Sequence, residues 1–278
     1  MDPRLQRRCQ RYGWDLAASD YERLWREPLR SARTSLLARV APRAGERVLD
    51  VACGTGWLAL DLAREVGPSG SVVGVDLSAA MIDAARRRIA AHGIGNAVME
   101  RMDAESLAFP DASFDVVVCA LGLMYMPDPR QALREMARVL RPGGRIAVVV
   151  WGERRRCGWS PVLSIVEAEV TSDVCPLLFA LGNEGTLGLA CAAAGLVVVE
   201  QHRTRTTLAF ADDDDASDAA LVGGPAALAW SRFDADTRAR VRERYLEAIV
   251  PWRTRSGYGV PGEFVLALAT RDDSPFVV

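Results

Sequence analysis

Residues Arg47 to Leu62, RVLDVACGTGWLALDL, join a short apolar run to a glycine pair and then to a helical repeat, and few folds accommodate that succession. Val48, Leu49, Val51 and Ala52 are interrupted only by Asp50, as suits a strand covered on both faces. Gly54 and Gly56 let the chain turn tightly and pass a ligand with no β-carbon in the way. Leu58, Ala59, Leu62, Ala63 and Val66 recur at helical spacing, so the turn delivers free amide groups to a helix N-terminus. A nucleotide-like ligand with polar or anionic groups suits that geometry. Alone, the pattern leaves alternatives open, because Gly54, Gly56 and Ala59 also satisfy the dinucleotide form G-x-G-x-x-A, and a ligand-free turn would read the same way.

The following hundred residues repeat the alternation. Ser71 to Asp76 reads as a second strand, followed by a helix that Ser78 can cap, with Met81, Ile82, Ala85 and Ile89 facing inward. Ala97 to Met102 and Phe114 to Ala120 read as two more strands. Asp128, Pro129 and Gln131 then open a helix as N-cap, first residue and capping-box partner. Pro142-Gly143-Gly144 stops that helix before a fifth strand, Arg145 to Val150. Such alternation specifies a doubly wound, mostly parallel sheet, in which ligands bind beyond the strands' carboxyl ends. Asp50 to Gly56, Asp76, Asp103 and Cys119 to Tyr125 all fall at that edge.

Composition narrows the chemistry. All 34 basic residues are arginine, so a Walker lysine and a pyridoxal Schiff base are excluded. Only His92 and His202 occur, and the six cysteines include no C-x-x-C pair; no metal site is expected, and the thiols are expected to be reduced. With no apolar run of about 18 residues and no leader-like start, a soluble cytoplasmic protein without stable membrane insertion is expected. The arginine-rich first segment, residues 1–43, is expected to be a solvated helical face rather than a nucleic-acid surface. Its Tyr12, Trp14, Tyr21 and Trp25 are expected mainly to pack, with a ligand lid as the alternative.

Taken together, VLDVACGTG, GVDLSAAMIDAA, DAESLAFPDASFDVVVCALGLMYMPD and LRPGGRIAVVVWG resemble, in order and spacing, the class I S-adenosylmethionine-dependent methyltransferases, especially those of ubiquinone and menaquinone biosynthesis. The resemblance covers residues 46–151 and implies a Rossmann-like α/β fold with a seven-stranded sheet and a helical lid. One domain would span 1–278: a helical segment (1–43), the cofactor-binding core (44–151) and lid insertions at 152–186 and 208–260. The family's pattern places Asp50 near the methionyl ammonium, with Gly54 and Gly56 along the ribose and methionyl chain. Asp76 would bind the ribose hydroxyls, Asp103 the adenine amino group and Ala104 an adenine nitrogen. Leu77 and Met102 would sandwich the ring, and Cys119 and Ala120 would face the methionyl end. Ala52 departs from the family's first motif glycine. Ala120-Leu121-Gly122-Leu123 stands where many amino methyltransferases carry Asn/Asp-Pro-Pro-Tyr, which argues against a nucleobase or protein amide target.

The acceptor side is less marked, since methyl transfer relies on alignment and desolvation and needs a base only if the nucleophile must lose a proton. Tyr125 is the candidate catalytic residue, with simple packing as the alternative. Tyr21, Trp25, Trp151, Cys157 and Trp159 are pocket candidates, with Glu153 behind them. Their aromatic character suggests a small apolar or aromatic acceptor methylated on oxygen or carbon. Nitrogen or sulfur acceptors and a non-catalytic cofactor-binding scaffold or regulator stay open.

Overall fold

The computed structural model describes residues 2–170, 175 and 177–272. The chain opens with α1 (Pro3–Trp25) and α2 (Arg30–Val40), then alternates through β1 (Arg47–Val51), α3 (Trp57–Val66), β2 (Ser71–Asp76), α4 (Ala79–Ala91), β3 (Ala97–Arg101), β4 (Phe114–Ala120), α5 (Pro129–Val139) and β5 (Leu140–Trp151). The remainder runs α6 (Pro161–Glu167), α7 (Thr186–Ala193), β6 (Leu196–Phe210), α8 (Asp213–Leu221), α9 (Ala227–Arg232), α10 (Ala235–Ile249), β7 (Arg253–Thr254) and β8 (Gly257–Arg271). Strand order is β3-β2-β1-β4-β5-β8-β6, with the two-residue β7 paired only to β8. The first five strands are parallel and the β5–β8 and β8–β6 pairings antiparallel. The sheet is therefore mostly parallel and Rossmann-like, and the strand count is eight rather than the expected seven because of β7.

The core explains the pattern of β1 and β4. Val48, Leu49, Val51, Val116, Val117 and Val118 are fully buried because helices cover both sheet faces. Asp50 shares that burial, 1% exposed at the end of β1, and is the one charged side chain inside the run. The helices start as their caps dictate: Ser78 Oγ accepts from Met81 N at 3.1 Å, and Asp128 Oδ1 from Gln131 N at 2.9 Å.

The last third departs from expectation. Strands expected at Leu196–Glu200 and Glu263–Thr270 are each fifteen residues long, paired from Leu196↔Arg271 to Phe210↔Tyr258. Both ends of the expected insertion at 208–260 thus belong to the sheet. The reason is visible in β6, an edge strand whose Arg205, Thr207 and Ala209 are exposed on its solvated face. The 152–186 stretch holds only the seven-residue α6 and short 3₁₀ turns among its described residues. Val174 and Pro176, read as part of an apolar stretch there, lie outside the described residues. Asp212 to Asp215 open a helix: Asp212 caps α8 by accepting from Asp215 N. No helix among the described residues is long and apolar enough to cross a membrane.

Candidate active site

The site is built where the sheet's carboxyl edge meets α1. After β1 the chain turns through Ala52 and Gly54, both left-handed (φ 58° and 54°), and Gly56 (φ 84°) starts α3. A β-carbon on Gly56 would come within 2.9 Å of Ala85 Cβ, so this glycine also lets α3 pack on α4; it is not among the residues lining the cavity described next. Gly54 does border it, and its amide donates to Asp76 Oδ2 at 2.9 Å while Ser78 N donates to Oδ1 at 2.9 Å. Burial pushes the Asp76 carboxyl up to about 6, with these two amides opposing and Asp15 adding to the rise.

Ala52, Gly54, Asp76, Leu77, Met102, Asp103, Ala104 and Ala120 line one cavity, together with Arg7, Trp14 and Tyr21 from α1 and Tyr125. Asp50 lines an adjoining one with Ala52, Gly54 and Ala120. Its Oδ2 is buried and has no hydrogen-bond partner, and burial, then the neighbouring Asp76, holds its carboxyl well above the usual range. An orphaned carboxylate oxygen at the end of β1 suits an ammonium group. Cys119 is fully buried and lines neither cavity; its thiol lies under Gly122 and burial pushes it up to about 12. Its position is that of a packing residue, whereas Ala120 is open to the site.

Helix α1 lies across these cavities. Arg7 Nε pairs with Asp103 Oδ2 at 2.7 Å, and a second Arg7 nitrogen pairs with Glu105. Asp15 Oδ1 accepts from Ser78 Oγ at 2.6 Å and from Ala80 N at 3.1 Å, at the favourable N-terminal end of α4. Glu22 accepts from Trp57 Nε1 at 2.9 Å and pairs with Arg88. The basic first segment is thus tied down over the site rather than being a plain solvated face. The signal was present in the sequence as Trp14 and Tyr21, seven residues apart and so on one helix face, followed by Trp25 one turn on.

Beyond Tyr21 lies a third, aromatic cavity lined by Trp14, Tyr21, Trp25, Leu121, Tyr125, Trp151 and Trp159, with no charged side chain on its wall among the described residues. Trp25, Trp151 and Trp159 stack edge to face or tilted with centroids 5.0–6.1 Å apart. Tyr21 and Leu121 border all three cavities, and Leu121 is left-handed, φ 59°. Burial drives the Tyr21 and Tyr125 phenols above their ordinary range, so both hold their protons near neutrality. Cys157 stands apart, its thiol buried against the Glu263 carbonyl, and it borders instead a separate arginine-rich cleft; it does not join the aromatic cavity. Glu153 does not border it either and pairs with Arg155 and Arg156.

Residues 48–144 match a family model described as a methyltransferase domain. The chain is 45% identical over 136 residues to the ubiquinone/menaquinone biosynthesis C-methyltransferase UbiE of Hahella chejuensis, covering 49% of this chain and 52% of that protein. It is 40% identical over 131 residues to a demethylmenaquinone methyltransferase of Listeria monocytogenes, covering 47% and 54%. The aligned part thus spans about half the length of these curated relatives. In fold, it resembles the [4+2]-cyclase SpnF (TM-score 0.59, 23% identity, 87% of this chain and 80% of that one). It also resembles a geranyl diphosphate C-methyltransferase from Streptomyces coelicolor crystallised with S-adenosyl-L-homocysteine (TM-score 0.53, 20% identity, 87% and 78%). Motif order, strand topology and the family match agree: residues 48–144 form a methyltransferase domain, similar over this region to those of ubiquinone and menaquinone biosynthesis.

Proposed function

We propose that this protein transfers a methyl group to a carbon or oxygen atom of a small, uncharged, aromatic or quinone-like acceptor. The observation that carries this assignment is the charge-free aromatic cavity that meets the cofactor cavities at Tyr21 and Leu121. The 40–45% identity to quinone-biosynthesis methyltransferases supports the same acceptor class.

The bound cofactor supplies a methyl group already activated by its sulfonium. The rest follows from the chain's own groups. Asp50 Oδ2 would receive the ammonium, Asp76 the ribose hydroxyls and Asp103 the adenine amino group, with Ala104 offering its amide and Leu77 and Met102 covering the ring. Because Tyr125 and Tyr21 hold their protons, they orient the acceptor as hydrogen-bond donors and do not serve as ground-state bases. Among the described residues no histidine or carboxylate borders the aromatic cavity, which suits an acceptor that brings its own nucleophilicity, as an electron-rich ring carbon or an acidic phenol does. The cavity measures about 20 Å³, room for a single water. Admission of a ring therefore requires α1, which carries Trp14, Tyr21 and Trp25, to move, and α1 would act as the lid.

The test is transfer of labelled methyl from S-adenosylmethionine to a panel of hydroquinones, phenols, amines and thiols, with calorimetry of cofactor binding alongside. Turnover confined to the oxygenated rings supports the proposal. Tight cofactor binding without turnover on any acceptor would identify a scaffold or a different reaction on the same fold, as the similarity to a cyclase allows.

A further inference from the structure

Four tryptophans line the aromatic cavity, and two of their indole N–H groups are hydrogen-bonded. Trp14 Nε1 donates to Gln10 Oε1 at 3.2 Å and Trp25 Nε1 donates to the Ala219 carbonyl at 2.9 Å, while Trp151 Nε1 is not a buried unpartnered donor. The fourth, Trp159 Nε1, is buried with no partner, on a side chain 1% exposed. A buried donor left unbonded costs about 1–3 kcal/mol, and a tryptophan in a protein interior normally satisfies its N–H. Trp159 otherwise sits among aromatic rings, Trp25, Trp151 and Phe179, where a phenylalanine would pack without that cost.

Buried polar atoms without a hydrogen bond occur on both sides of the site: Asp50 and Glu22 each leave an acceptor oxygen by the cofactor cavities, and Trp159 leaves a donor on the wall of the aromatic one. Ligands of complementary chemistry satisfy Asp50 Oδ2 and Trp159 Nε1: an ammonium at the first, and a carbonyl or phenolic oxygen at the second. We propose that Trp159 is the specificity-determining donor of the acceptor site, its Nε1–H donating to an oxygen carried on a flat, uncharged ring. This rests on the aromatic cavity being the acceptor site. It adds that the ring must be oxygenated at the edge facing Trp159, so that hydrocarbon rings of equal size are discriminated against by an unsatisfied buried donor.

Calorimetry on the protein saturated with S-adenosyl-L-homocysteine tests it with 1-naphthol and naphthalene as probes. The expected result is that Trp159→Phe weakens 1-naphthol binding about tenfold, the equivalent of about 1.4 kcal/mol, and leaves naphthalene binding unchanged. Equal losses for both rings would assign Trp159 to packing alone. No change for either would mean that the N–H serves only a trapped water, and both results overturn the inference while sparing the acceptor site. Failure of wild-type protein to bind either ring overturns the acceptor site itself, and the inference with it. Nitrogen-15 spectra of the wild-type indoles give a readout that needs no folded variant: 1-naphthol, and not naphthalene, should move one buried indole N–H downfield. Unmoved buried indoles in the presence of bound 1-naphthol overturn the inference.

Discussion

At the scale of single residues, the turn after β1 and the turn after β4 are fitted to each other. A β-carbon on Gly122 would lie 2.3 Å from Ala52 Cβ, so the family's usual glycine and this chain's alanine cannot be considered apart from position 122. Gly122→Ala should destabilise the protein by about 1–3 kcal/mol through overpacking. Ala52→Gly removes the obstructing methyl and a left-handed alanine, so the double variant Ala52→Gly/Gly122→Ala should recover most of the loss in urea unfolding, a coupling that independent sites would not show. Asp76 supplies a second prediction. Ribose hydroxyls donate to a carboxylate, and burial places this carboxyl at about 6, so protons compete with the cofactor only below that pH. Affinity for S-adenosylmethionine should be flat above about pH 7 and about tenfold weaker at pH 5, where about one Asp76 in eleven is ionised. Asp15 and the buried Asp50 face the same carboxyl, so the diagnostic comparison is Asp76→Asn, which should bind at least tenfold more weakly at pH 8 and lose the dependence near pH 6. An Asn variant with a normal dissociation constant would sink the ribose assignment.

At the scale of elements, what could be read from the chain and what could not follow from the range of the interactions involved. β1, β2, β4 and β5 were legible because each carries a buried run bounded by glycine, proline or a capping residue within a few residues, and β3, where only Met99 is buried, was placed by the alternation of strands and helices. The bounds of β6 and β8 were not, because Thr204 to Thr207 carry no apolar run and become strand only by pairing with Pro261 to Phe264, some fifty to sixty residues away in sequence. The function of α1 was hidden for the same reason: nothing near Arg7 in sequence announces Asp103. That ion pair makes a prediction. Arg7 occupies the carboxylate assigned to the adenine amino group, so opening of α1 and entry of the cofactor are linked. Arg7→Gln removes a partly exposed pair worth about 0.2–1 kcal/mol, and should raise both association and dissociation rates of S-adenosyl-L-homocysteine by about two- to fivefold. Amide exchange should quicken across residues 3–25 and stay unchanged in α3; identical exchange in α1 would show that the helix is not held by this contact.

At the scale of the whole molecule, arginines with no lysine beside them set how the helical segments and the sheet are joined. The acidic run that opens α8 spreads its partners across four elements: Asp215 pairs with Arg23 of α1 at 2.7 Å, Asp214 with Arg242 of α10, and Asp213 with Arg253 of β7 at 3.0 Å and the Tyr258 hydroxyl of β8 at 2.8 Å. These contacts are exposed, so each contributes little and is screened by salt. Glu263 is the opposite case. It is fully buried, pairs with Arg203 at 2.5 Å and Arg156 at 3.3 Å, accepts from Glu153 N at 3.1 Å, and so fastens β8 to β6 and to the segment after β5. Salt should tell the two kinds of junction apart. Neutralising Asp213, Asp214 and Asp215 together to asparagine should lower stability by about 1–2 kcal/mol in dilute buffer, and the difference from wild type should shrink at 1 M sodium chloride, where the screening length is about 3 Å. Glu263→Gln should cost about 3 kcal/mol at both salt concentrations, because it leaves two guanidinium groups facing a carboxamide in the interior. Urea unfolding of both variants at the two ionic strengths measures this, and a salt-dependent loss at Glu263 would mean that water reaches the junction and that β8 is not the fixed wall against which the lid closes.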